Sequence, residues 1–181
     1  MRNLIFYILS LVTLLILMLS CSSERSLQVF IVDQQEKSDI ISADFQTSML
    51  SLDEKVANEE DLKTLKALKK VSLIGYQIKE GEEARYKAEV SELKNILKQD
   101  KYGELMRIGS GKKGARVYVV GEEDKVDEII IFGADNTKGW LLIRILGKDM
   151  DPGKMMQVAQ KIDINASNID FSQLENLDLN F

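Results

Sequence analysis

The sequence predicts an α+β protein: a two-layer sandwich, with an antiparallel sheet of four to five strands and helices packed on one face. Three observations carry this. Between residues 102 and 147 the segments "YGELMRIGS", "ARVYVV", "VDEIIIFG" and "GWLLIRILG" are joined by the polar loops "GKKG", "GEEDK" and "ADNTKG", the pattern of antiparallel hairpins. Upstream, two stretches with apolar residues at helical spacing flank a further strand, "VSLIGY". Downstream, Asp151-Pro152 places a capping side chain before a proline suited to the first helical position. The order helix, strand, helix, four-strand meander, helix gathers the helices in one layer over the sheet.

In chain order, Met1-Arg2-Asn3 is followed by an apolar block from Leu4 to Leu19, interrupted only by Ser10 and Thr13. A basic start, an apolar block and small residues describe a secretory signal. The block falls short of the roughly 20 residues a spanning helix needs, although length alone leaves an uncleaved anchor open. Met18-Leu19-Ser20-Cys21 resembles the lipobox of bacterial lipoproteins, in which the cysteine is acylated and becomes the first mature residue. A buried small hydrophobe or an incidental thiol suits Cys21 less well, placed as it is between that block and the polar run 22–26. Several acyl chains hold a protein firmly at a membrane where one holds it marginally. The expected organisation is a signal peptide over 1–20, a lipidated tether over 21–28, one α+β domain over 29–162 and a C-terminal extension over 163–181.

Within the domain the pattern from Val29 to Val56 is weak, with a short strand near 39–43 and a helical turn around Met49 and Leu50. Residues 59–70 read as an amphipathic helix, with Leu62, Leu65 and Leu68 on one side, acids at its start and lysines at its end. A second helix is expected over 82–99, burying Val90, Leu93 and Leu97, and a third runs from Pro152 to about Ile162. The acidic remainder, with irregular spacing, is the extension.

Composition removes several chemistries. The chain has 24 basic and 29 acidic residues, a net charge of −5, and loss of Arg2 with the signal makes the balance more acidic. No basic tract points to nucleic acid as a partner. With no histidine and one cysteine, the Ser-His-Asp and Cys-His arrangements and the usual zinc ligand sets are absent from the sequence. "GSGKKG" (109–114) fails the phosphate-loop pattern, because Met106 stands where its first glycine should and Lys113 where Ser or Thr should. Asp149 and Asp151 suggest a calcium loop, but Lys154 and Gln160 occupy its glycine and glutamate positions. The closing "NLDLNF" alternates like a barrel strand, yet the chain is too short for a membrane barrel. No enzymatic activity, cofactor or metal is expected.

At "LKKVSLIGY", "LKQDKYGELMRIGSGKKGARVYV" and "LLIRILGKDMDPGKMMQVA" the chain resembles domain of unknown function 4252, a family of small lipoproteins of Bacteroidetes-type bacteria. The resemblance covers about residues 62–162. It implies placement in the cell envelope and carries over no catalytic or binding residue.

Strand alternation isolates one further feature. If Met106, Ile108, Val117, Val119, Leu141, Ile143 and Ile145 face the helices, the opposite face carries Arg107, Arg116, Tyr118, Trp140, Leu142 and Arg144. Three readings stay open. It could recognise an anionic or extended partner through arginine forks and aromatic stacking. It could be cross-strand packing on a solvent-facing sheet. Or the acidic extension, which holds Asp163, Asp170, Glu175 and Asp178, could cover it. The expected function is a non-catalytic, envelope-anchored binding or scaffolding domain, held to the membrane through Cys21 and meeting an unknown envelope protein or anionic ligand. The alternatives are a sensor or regulator in an envelope signalling system, or an enzyme using carboxylates or a Ser-Lys pair. Ser22 in place of aspartate favours the outer over the inner membrane.

Overall fold

A computed structural model describes residues 25–52, 56–110, 113–122 and 124–164. Chain order is α1 (Leu27–Gln35), β1 (Ile40–Gln46), a 3-10 turn (Thr47–Met49), β2 (Leu50–Leu52), α2 (Glu59–Ala67), β3 (Leu68–Gln77), α3 (Glu83–Ile96), β4 (Gly103–Ser110), β5 (Lys113–Glu122), β6 (Lys125–Asp135), β7 (Gly139–Met150), α4 (Pro152–Ala159) and β8 (Ile162–Ile164). Six strands form one antiparallel sheet in the order β1-β3-β7-β6-β5-β4, and β2 pairs with β8 in a separate two-stranded ribbon.

Helices cover both faces of the sheet, which corrects the expected single helical layer and the count of four to five strands. On one face α1 and α3 bury Leu27, Phe30, Ile31, Tyr86, Val90 and Leu93 against Ile74, Tyr76, Tyr118, Ile130, Phe132, Trp140 and Leu142. On the other, α2 and α4 pack Leu65, Met155 and Val158 on Leu68, Val117, Val126, Ile129 and Met150. The signal for two covered faces was the continuity of "IIIF" and "WLLI", since a strand wetted on one side alternates and one buried on both does not.

Local chemistry sets the element ends. Ser26 caps α1 by accepting from the Val29 amide at 3.2 Å. Asn58 and Asp61 form a reciprocal capping box on α2. That helix stops at Ala67 rather than Lys70, because Leu68 turns extended and enters the second core as the first residue of β3. Asp151 caps α4 through the Lys154 amide at 3.0 Å, as expected. The turn into β7 requires Gly139, whose φ of 140° suits glycine and where a Cβ would collide with the Tyr76 carbonyl. Helix α1 begins at Leu27, so the last two residues of the expected tether belong to the fold, and β8 takes in the first two of the expected extension.

Candidate functional site

The face predicted to carry Arg107, Arg116, Tyr118, Trp140, Leu142 and Arg144 does lie together on one side of the sheet, but it is not an open surface. Trp140 is 1% exposed, and Tyr118 and Leu142 are buried with it beneath α1 and α3. The Trp140 ring sits 5.8 Å from that of Phe30 and 6.4 Å from that of Tyr76. Its indole N–H donates to Glu89 Oε2 at 2.9 Å. Arg144 is partly buried: it bonds to Gln28 on α1 and donates to Glu128 Oε1 at 2.7 Å. These side chains therefore hold helices on the sheet, and the solvent-facing reading does not apply to them. What covers them is α1 together with α3, and α1 spans the end of the expected tether and the start of the stretch of weak pattern.

Glu89 is the centre of that interface. Besides Trp140 it accepts from Lys37 Nζ at 2.9 Å and Arg85 Nε at 3.0 Å. Burial pushes its carboxyl up, and the bonds from Lys37, Trp140 and Arg85 outweigh that, leaving its pKa lowered. Arg85 reaches on to Asp39 and lies 4.4 Å over the Tyr76 ring. Tyr76 donates its hydroxyl to Glu82 at 2.7 Å, and burial with that bond raises its pKa to about 12. Every member of this network has a partner inside the protein, so it is structural.

The arrangement changes where the α1–α3 layer ends. Arg107 on β4 and Arg116 on β5 stand directly opposite each other. Like charges in that position repel. A single carboxylate answers both: Glu104 takes two bonds from Arg107, at 2.8 and 2.9 Å, and lies 3.5 Å from Arg116. The hydrogen bonds from Arg107 hold the Glu104 carboxyl below its ordinary pKa, so the pairing persists at neutral pH.

These arginines open onto a cleft of about 300 Å³, also lined by Tyr86, Lys94, Phe132 and Asn136. Lys94 has no carboxylate partner among the described residues. The Tyr86 hydroxyl donates to Asn136 Oδ1 at 3.1 Å and closes one wall. Gly109, with φ of 86°, faces Gly114 across the hairpin, where a Cβ would strike the opposing backbone, so the mouth stays free of side chains there. Arg107 and Arg116 share one carboxylate and Lys94 stands on the cleft wall beside them, which leaves the cleft positive within an acidic protein. Such a site can hold an anionic group by charge-assisted hydrogen bonds. Among the described residues no set of three or more acidic, histidine or cysteine side chains could hold a metal.

Of the predicted binding face, then, the structure brings Arg107 and Arg116 to the cleft, buries Tyr118 and Trp140, and ties the partly buried Arg144 to α1 and Glu128. Lys94, Tyr86, Asn136 and Glu104 were not foreseen. Tyr86 and Lys94 lie eight residues apart on α3, two turns along one face, but helical spacing does not reveal which strands that face meets. Cys21 and residues 165–181 lie outside the described residues, and so does most of the extension proposed to cover the sheet. A shallower groove beside Arg25, Ser91 and Gln99 offers no free charge, because Arg25 is paired with both Asp33 and Glu92.

Fold and site together define a small α+β domain built on a six-stranded antiparallel sheet, with a cationic cleft at one sheet edge. Residues 33–158 match the family described as Domain of unknown function (DUF4252), and the chain belongs to that family. Neither the curated proteins nor the solved structures searched contain a match.

Proposed function

We propose that this chain is an envelope lipoprotein, acylated at Cys21, whose folded domain binds an anionic group of a partner or ligand without catalysing chemistry on it. The carrying observation is the Arg107–Arg116 pair, two guanidinium groups opposed across adjacent strands with one carboxylate between them and Lys94 nearby. An anion entering the cleft would offset that repulsion and take the guanidinium N–H groups that Glu104 leaves free. The lipobox at 18–21 and the polar run after it support anchoring, and Ser22 favours the outer membrane.

The binding half is tested by titrating the protein with inorganic phosphate and following backbone amide shifts. Shifts should cluster at residues 94, 107, 114–116 and 136 and disappear in Arg116→Glu. Shifts scattered over the surface, or unaffected by that substitution, would count against the cleft. The anchoring half is tested by membrane fractionation: Cys21→Ser should move from the membrane to the soluble fraction, and retention would point to an uncleaved span instead.

A further inference from the structure

We propose that β4 is an acceptor edge for an extended strand of a partner protein in which acidic and apolar side chains alternate. This rests on the anionic-group reading above and names the kind of partner that supplies the group.

Strand β4 ends the sheet order, so its outer row of amides and carbonyls has no ladder partner within the sheet. Its residues from Gly103 to Gly109 are all exposed. They include Leu105, Met106 and Ile108, at 48%, 41% and 60% exposure. The opposite edge, β1, shows the contrast: Ile40 and Phe45 are buried and none of its residues is a large exposed hydrophobe. Proteins usually blunt a free edge, and an apolar one left open is a template for strand addition.

The two sides of β4 prescribe the partner. Met106 and Ile108 pair with Val117 and Ala115 on the side of α2 and α4. Arg107 pairs with Arg116 on the side of the cleft, where Lys94 stands. From Met106 to Ile108, past the bulge that shifts the register between Glu104 and Met106, a strand continuing the pleat places successive side chains alternately over these rows. Acids would then meet the cations, and apolar residues would extend the Met106–Ile108 row. The bulge before Met106 and the positive φ of Gly109 bound the regular part of the edge, so the docked segment centres on Met106–Ile108. A second copy in the register that sets Arg107 against Arg107 would oppose like charges, and the dilution arm of the experiment tests the other registers.

The experiment uses the full-length acylated protein in detergent and three synthetic octapeptides: alternating leucine and aspartate, four leucines followed by four aspartates, and alternating leucine and lysine. Affinity is read by fluorescence anisotropy and backbone pairing by hydrogen exchange at residues 105–108. The alternating acidic peptide should bind best and slow exchange at those amides. Arg116→Glu should weaken it about tenfold or more. Ile108→Lys, at a side chain exposed enough to leave the fold intact, should weaken it as well. Equal binding of the blocked peptide would overturn the proposal. Arginine-dependent binding without slowed exchange would overturn strand addition while leaving the anionic cleft standing, and loss of the arginine dependence would remove both. Exchange already slow in the free protein, and released by dilution or by deleting residues 165–181, would assign the edge to a second copy or to the chain's own end and overturn the partner reading.

Discussion

Trp140 is the only tryptophan in the chain, and its indole bonds to a glutamate that also ties down Lys37 and Arg85. Replacing Glu89 by Gln keeps an acceptor for the indole but withdraws the charge that both cations answer. Lys37 and Arg85 retain some water, which softens the loss, so the expected cost is about 1–3 kcal/mol. Urea unfolding followed by Trp140 emission measures it, and an unchanged midpoint would show that the network is dispensable. Alternation correctly grouped Arg107, Arg116, Tyr118, Trp140 and Arg144 on one side of the sheet. It could not say what lies over that side, because alternation reports the direction of a side chain and not its cover. The difference between Arg116 in the cleft and Arg144 under α1 is tertiary, set by where α1 and α3 stop.

At the scale of elements, α1 decides the architecture and was the hardest element to read. Leu27, Phe30, Ile31 and Gln34 follow the helical spacing of a buried stripe, with Ser26 as cap. Val29 and Val32, apolar yet exposed, blur that stripe and hid it in the sequence. The strands of the meander and the cap of α4 were legible because hairpin loops and a capped proline are local signals. The β4–β5 hairpin pairs Gly109 with Gly114 and Ser110 with Lys113, so the strands extend into the stretch "GKKG" expected as loop. If α1 is the cover of the aromatic face, Phe30→Ala should cost about 3–5 kcal/mol. It should also shift Trp140 emission to the red, since Phe30 packs directly on the indole. A destabilised variant with unshifted emission would mean that Trp140 is shielded by α3 alone.

The whole molecule is acidic, has one cysteine and gains its stability from two cores on either side of one sheet. Its paired carboxylates make that stability pH-dependent. The hydrogen bond from Arg85 lowers the pKa of Asp39 from 3.8, and Asp61 is lowered by its bond from Lys161. Glu89 falls below 4.5, its three hydrogen bonds outweighing burial. The unfolded chain therefore binds more protons than the folded one as pH drops through 4.5 and 3.8, and stability present above those values is lost below them. Urea midpoints should be flat near neutrality and fall from about pH 5 downward; a midpoint rising with acidity would contradict the pairing. The proposed anchor and the proposed recognition through the cleft meet in one measurement, crosslinking capture from intact membranes with wild type and the Arg107→Glu, Arg116→Glu double variant. The double variant should stay in the membrane fraction and lose the crosslinked partner. Capture of the same partner in the same amount by both proteins would contradict recognition through the cleft.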